Sequence, residues 1–113
     1  MIDDPRKTDL LMARLKGSLP VEANVTQYLA GVLGEQSPDI PIPRKCNVID
    51  VLYSGDMGGI LCCLDIGGAH TKTPHVVSIT HLSFDRRVPL SHEIATYQHH
   101  RIKKLKQQKE RDH

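Results

Sequence analysis

The stretch Ile60-Leu61-Cys62-Cys63-Leu64-Asp65-Ile66 limits what this chain can become more than any other. It has the length of a strand, and glycines break regular structure on both sides, at Gly58-Gly59 and at Gly67-Gly68. Alternate strand residues point to opposite faces, so Ile60, Cys62, Leu64 and Ile66 take one face while Leu61 and Cys63 take the other. A strand that is apolar on both faces needs cover on both. A chain of 113 residues is the size of one domain, with material for a single core. The second face is therefore expected to be closed by the chain's own helices or by another copy. A homo-oligomer, most simply a dimer, is the expectation.

The neighbouring segments extend the sheet. Cys46 to Tyr53 carries the β-branched residues Val48, Ile49 and Val51 and runs into the turn-forming Ser54-Gly55-Asp56-Met57-Gly58-Gly59. Pro74 precedes a third strand, His75 to Phe84. Short glycine-rich connections predict three neighbouring antiparallel strands in sequence order, with Ile49, Val51, Leu64 and Ile79 buried.

Helices are expected at both ends. Asp4-Pro5 reads as an N-cap followed by proline at the first helical position. Leu11, Met12, Leu15 and Leu19 then share a side, with Gly17 as the stop. Pro20 opens a second helix on the same logic, with Val21, Val25, Tyr28, Leu29 and Val32 as its apolar stripe and Gly34 at its end. Together these predict a helical hairpin. Pro38, Pro41 and Pro43 make the following connector extended. The last helix runs from Pro89 to about Gln108, and Leu90, Ile94, Tyr97 and Leu105 share one of its faces. Arg101 falls in the middle of that face, and the basic residues beyond it point in every direction. The helix is therefore expected to leave the body near residue 98. The fold class is α+β: an α-α-β-β-β-α order over one domain, residues 1–113, with a three-stranded antiparallel sheet and a basic C-terminal helix.

An apolar fraction of 39% and a charged fraction of 25% exclude wholesale disorder. No apolar run approaches the roughly 20 residues of a membrane helix. Met1-Ile2-Asp3-Asp4 is acidic where a signal peptide is basic, so a cytoplasmic protein is expected. Cys46, Cys62 and Cys63 lie in apolar runs and are expected to be reduced.

Charge is divided unevenly. Residues 1–100 hold nine Lys/Arg against eleven Asp/Glu, whereas residues 101–113 hold six against two. The nucleic-acid-binding candidates are therefore Arg101, Lys103, Lys104, Lys106 and Lys109, on a helix whose local potential attracts nucleic acid or an acidic protein. Aromatic residues are too scarce for a base-stacking platform. These features predict a non-enzymatic binding module.

No C-x-x-C or H-x-x-x-H pair exists, and Cys62 and Cys63, in an apolar run, do not favour a thiolate nucleophile. Neither a metal nor a cofactor is expected. Leu64 to Lys72, reading L-D-I-G-G-A-H-T-K, resembles the first phosphate loop of the actin-like and sugar-kinase ATPases, whose glycines let backbone N–H groups approach a phosphate. Those enzymes enclose a nucleotide between two large lobes, so in a chain of this size the segment reads as a glycine-rich hairpin. Near the C-terminus, an apolar strand leads to His81 and Phe84, then Arg86-Arg87, then Pro89, Glu93-Ile94 and Arg101. That stretch, with the expected order of elements, resembles the HigB-type branch of the RelE/ParE toxin superfamily. The resemblance implies an endoribonuclease in which Arg86 and Arg87 hold the phosphate and His81 moves the proton. A self-assembling structural protein, using its sheet face or edge as the interface, is the third reading.

Overall fold

The computed structural model describes residues 3–36, 38–67 and 75–111. In chain order these form α1 (Pro5–Ser18), β1 (Val21–Val25), α2 (Gln27–Gln36), β2 (Lys45–Tyr53), a single helical turn α3 (Gly55–Gly58), β3 (Ile60–Asp65), β4 (His75–Ser78), a 3-10 turn (Ile79–His81), β5 (Leu82–Ser83) and α4 (Ser91–Arg111). The fold is α+β. The sheet has five strands rather than three, in the order β4-β3-β2-β1-β5, and every neighbouring pair is antiparallel.

The central part of the sheet follows from composition. β2, β3 and β4 are antiparallel neighbours in sequence order, with Val51 opposite Cys62 and Leu64 opposite His75. Val51, Leu64 and Ile79 are buried as expected. Ile49 is not: it is 51% exposed, because the register shifts between Val48 and Asp50 and the alternation of faces breaks there. Ser54 to Gly59 is a helical turn closed by two backbone bonds, Ser54 N–H to the Gly59 carbonyl and Gly59 N–H to the Gly55 carbonyl, both 2.8 Å.

Two further strands lie where sequence periodicity misleads. Val21–Val25 is a strand, and the expected helical hairpin is absent; α1 is followed by β1 and only then by α2. Val21 and Val25 stand four residues apart, a spacing that puts them on one side in either a helix or a strand. Ala23 decides between the two. It faces away from that side in a helix and towards it in a strand, and it is 1% exposed, opposite Cys46. Tyr28, placed on the expected stripe, is exposed, while Leu29 and Leu33 carry the buried face of α2.

The expected third strand is cut in two. The Ser78 side-chain oxygen accepts from Thr80 N–H and lies 2.8 Å from the Thr80 hydroxyl, turning the chain into the 3-10 turn. β5 then pairs with β1 at the far edge of the sheet, Leu82 opposite Val25. The four residue steps from Ser78 to Leu82 span at most about 14 Å. The edges of a flat five-stranded sheet stand about 19 Å apart. The sheet is therefore curled into half a barrel, with Ile79 fully buried in the bridging turn.

The concave side holds the core. Leu11 and Leu15 of α1 and Ile94 of α4 join Val21, Ala23, Val48, Val51, Ile60, Cys62 and Leu64 in one cluster. On the convex side Leu61 and Cys63 are half-buried, and Leu52 and Val76 are exposed. Burial pushes the Cys46 thiol up to about 11 and the Cys62 thiol up to about 12, which keeps both protonated. α1 begins as its sequence requires: Asp4 Oδ1 accepts from the N–H groups of Arg6 and Lys7 at 3.0 and 3.2 Å. Gly17 lies inside this helix rather than ending it. The segment resembling a phosphate loop lies outside the described residues from Gly68 to Lys72; within them, Asp65 accepts from Gly67 N–H at 3.0 Å. No helix among the described residues is long and apolar enough to cross a membrane.

Ala23→Leu forces extra volume into the concave face and is expected to destabilise the protein by about 1–3 kcal/mol. The urea midpoint of the variant measures this; an unchanged midpoint would mean that residue 23 does not face the core.

Candidate partner-binding surface

The C-terminal helix owes its position to a buried charge pair. α4 presents Ile94, Tyr97 and Arg101 on one side, and Arg101 points inward where an apolar residue is the ordinary choice. Its side chain is 2% exposed and the Asp3 side chain is fully buried. Arg101 Nη1 donates to both Asp3 oxygens at 3.2 and 3.1 Å, and Nη2 donates to the Asp56 carbonyl at 2.7 Å. Two phenols complete the shell of the carboxylate: Tyr97 and Tyr53 donate to Asp3 Oδ2 at 2.8 and 3.0 Å. The Tyr97 oxygen also accepts from Ile60 N–H at 3.0 Å, which ties α4 to the start of β3. Gly59 makes room for this arrangement. Its φ is +65°, and a β-carbon there would stand 2.6 Å from both Arg101 Nε and the Tyr97 oxygen.

The neighbouring turn of α4 holds the curled sheet. Gln98 Nε2 donates to the carbonyls of Ile79 and Leu82 at 2.7 and 2.8 Å, on either side of the 3-10 turn. Tyr97, Gln98 and Arg101 thus grip three separate parts of the body within five residues.

Every residue from Ile102 to Glu110 is exposed, so α4 departs after Arg101 and not near residue 98. The helix begins at Ser91 rather than Pro89, after a turn in which Val88 N–H bonds the Asp85 carbonyl and Ser91 N–H bonds the Val88 carbonyl. Of the five cations expected to contact nucleic acid, Lys103, Lys104, Lys106 and Lys109 lie on the projecting segment. Arg101 is spent on Asp3 and is not available at the surface. Leu105, expected on the packed face, is 39% exposed, and Ile102 is 50% exposed.

His81, Arg86 and Arg87 do not gather around Arg101. The His81 ring stacks on Tyr28 with centroids 4.0 Å apart, and burial pushes its pKa down, favouring the neutral ring. Arg86 and Arg87 are exposed in the turn before α4, where Arg87 N–H bonds Asp85 Oδ1 at 3.0 Å. Among the described residues, no group of three or more His, Cys, Asp or Glu side chains is arranged to hold a metal ion.

Sequence reasoning did not find a groove of about 420 Å³ between α1 and α4. Leu10, Leu11 and Tyr97 line it, with Lys7 and Arg14 on one helix and His92, Glu93 and His100 on the other. Asp3 near Tyr97 and Arg101, and Arg14 3.8 Å from Glu93, set the two helices antiparallel. The signal that could have found it is Leu10: it adjoins the buried stripe of α1 yet is 54% exposed.

Arg101→Ala leaves the Asp3 carboxylate buried without its cation and is expected to cost about 3–5 kcal/mol. Lys103→Ala, on the projecting segment, should change stability by less than about 0.5 kcal/mol. Denaturant unfolding of the two variants makes the comparison; equal costs would overturn the placement of Arg101.

Alkaline pH tests the same shell. Burial, with the Asp3 carboxylate adding to it, pushes the Tyr97 phenol above its ordinary value, and burial pushes Tyr53 in the same direction. The folded protein then keeps protons that unfolded tyrosines release near pH ~10, so this contribution is intact below that pH and falls as pH rises through it. Tyr97→Phe should flatten the loss of stability seen between about pH 9 and 11 in thermal melts.

No family model matches this chain, and no curated protein or solved structure matches it either.

Proposed function

We propose that this protein is a non-enzymatic binding module whose projecting C-terminal helix engages an acidic protein partner. One observation carries the reading: from Ile102 to Glu110 every residue of α4 is exposed, with four lysines against a single acid, Glu110. A frayed helix end offers no defined surface, but this segment continues a helix gripped at Tyr97, Gln98 and Arg101. The lysines therefore have a fixed origin relative to the body.

Two features favour a protein over nucleic acid. Ile102 and Leu105 are exposed on the same segment, and apolar side chains contribute to a protein interface while offering nothing to phosphates. Four lysines neutralise about four phosphates at most, which corresponds to a modest salt slope of roughly −3.6 on duplex DNA. The endoribonuclease alternative has less support, since His81 is packed against Tyr28 and Arg101 is engaged with Asp3.

Reversing Lys103, Lys104, Lys106 and Lys109 to Glu tests the reading. The wild-type protein should bind a fluorescein-labelled Glu/Leu peptide in 50 mM salt, and the reversed variant should lose at least about tenfold in affinity while keeping its circular dichroism. A 20-nucleotide RNA bound more tightly than the peptide, with Ile102→Ser and Leu105→Ser making no difference, would place nucleic acid there instead.

A further inference from the structure

We infer that the groove between α1 and α4 is the docking site for an acidic amphipathic helix of the partner, which continues from the groove along the lysine segment. The inference rests on the acidic-partner reading and specifies where and in what form that partner binds.

The shape fits a helix. The groove is flanked by two antiparallel helices, and its lining on α1 runs from Lys7 to Arg14. That stretch corresponds to about 10 Å of helix axis, two turns of an incoming helix. Leu10 and Leu11 supply apolar wall and floor, with the largely buried ring of Tyr97 opposite. Apolar anchors at i, i+3 or i+4, and i+7 are the usual way such a floor is filled.

A small ligand fits less well. Specific small-molecule sites have polar groups that converge on the ligand. Here the Tyr97 hydroxyl donates to Asp3 and the Thr96 hydroxyl donates to the His92 carbonyl, so two of the lining hydroxyls donate within the protein.

The charge that favours an acidic partner lies on the adjoining lysine segment, since the groove lining itself holds Asp3, Asp4 and Glu93 against Lys7 and Arg14. The acids lining the groove are each engaged: Asp3 by Arg101, Asp4 by the first turn of α1, and Glu93 by Arg14 at 3.8 Å. Lys7, His92 and His100 stand on the rims, and no side-chain partner is shown for them among the described residues. At 3.6 residues per turn, the side of α4 that carries Thr96 and His100 into the groove continues through Lys103, Lys104 and Gln107. A helix seated in the groove thus meets the exposed lysines without changing direction. Tyr97 is the only Phe, Tyr or Trp among the described residues of the lining and is 9% exposed, which disfavours a platform for stacked bases.

The experiment uses the full chain and two 18-residue synthetic peptides of equal negative charge. In one, Leu occupies an i, i+3, i+4, i+7 stripe among Glu residues; in the other, each Leu is Gln. Binding is read by fluorescence anisotropy in low salt, with the wild type, Leu10→Gln and Lys103→Glu/Lys104→Glu. Leu10 is half exposed and the change is neutral, so Leu10→Gln should fold and leave the long-range field unchanged. The wild type should prefer the Leu peptide by about tenfold or more, and Leu10→Gln should remove that preference while leaving the Gln peptide unaffected. The Leu peptide should also shift wild-type amide resonances across residues 7–14 and 92–104, a readout independent of any variant. Equal binding of the two peptides, or an unchanged preference in Leu10→Gln, would overturn the groove. If Lys103→Glu/Lys104→Glu still abolished binding in that case, the acidic-partner reading would survive. Failure of both peptides to bind the wild type, or their displacement by a 20-nucleotide RNA of higher affinity, would defeat both.

Discussion

The ion pair between Arg101 and Asp3 joins the ends of the described chain, residues 98 positions apart, in a site from which water is excluded. Removing a guanidinium and a carboxylate from water costs several kcal/mol for each ion, and mutual attraction alone rarely offsets it. Here the remaining hydrogen-bonding capacity is filled. Two phenols donate to the carboxylate and a backbone carbonyl accepts from the guanidinium. These partners come from the end of β2, from α3 and from α4 itself, so the satisfied pair fixes the mutual placement of several elements. The positive φ and missing β-carbon of Gly59 are part of that arrangement, since any side chain there collides with Arg101 and Tyr97.

The curl of the sheet is the second constraint, and it meets the first on α4. A strand that stops at one edge and resumes at the other after three residues forces the edges towards each other. The turn that does this buries Ile79, and its flanking carbonyls at Ile79 and Leu82 need donors. Gln98 supplies both from a single amide nitrogen. α4 therefore closes the half-barrel with one residue and locks to the N-terminus with its neighbours.

That division gives α4 two halves with different work. The first half is held by specific bonds and forms one wall of the groove with α1. The second half, exposed from Ile102 to Glu110, continues the direction of the first. A basic segment becomes a defined surface when its starting direction is fixed, and the anchors at residues 97–101 fix it. The same anchors explain why the groove stays open. They draw α1 and α4 together at the Asp3 end, while Leu10 on the outer shoulder of α1 is left without cover.

Local physics alone determined a good part of this protein. The Asp4 cap with Pro5, the apolar stripe of α1, the two-faced strand at residues 60–65 and its antiparallel neighbours, and the excess of lysine beyond residue 102 all follow from spacing and composition. The β1 strand was hidden because Val21 and Val25 satisfy helical and strand periods alike, and only its pairing with β2 gave Ala23 its meaning. The split of the third strand was hidden because Ser78 caps a turn only when β5 has an edge to reach, and β1 is that edge. Arg101 was the least legible residue. On a helix wheel an inward arginine reads as the point where the helix leaves the protein. Its actual role needs a carboxylate 98 positions earlier in the chain, and no local pattern encodes a partner at that distance. The groove depends on the same fact, because α1 and α4 form its walls only once Asp3 and Arg101 have met.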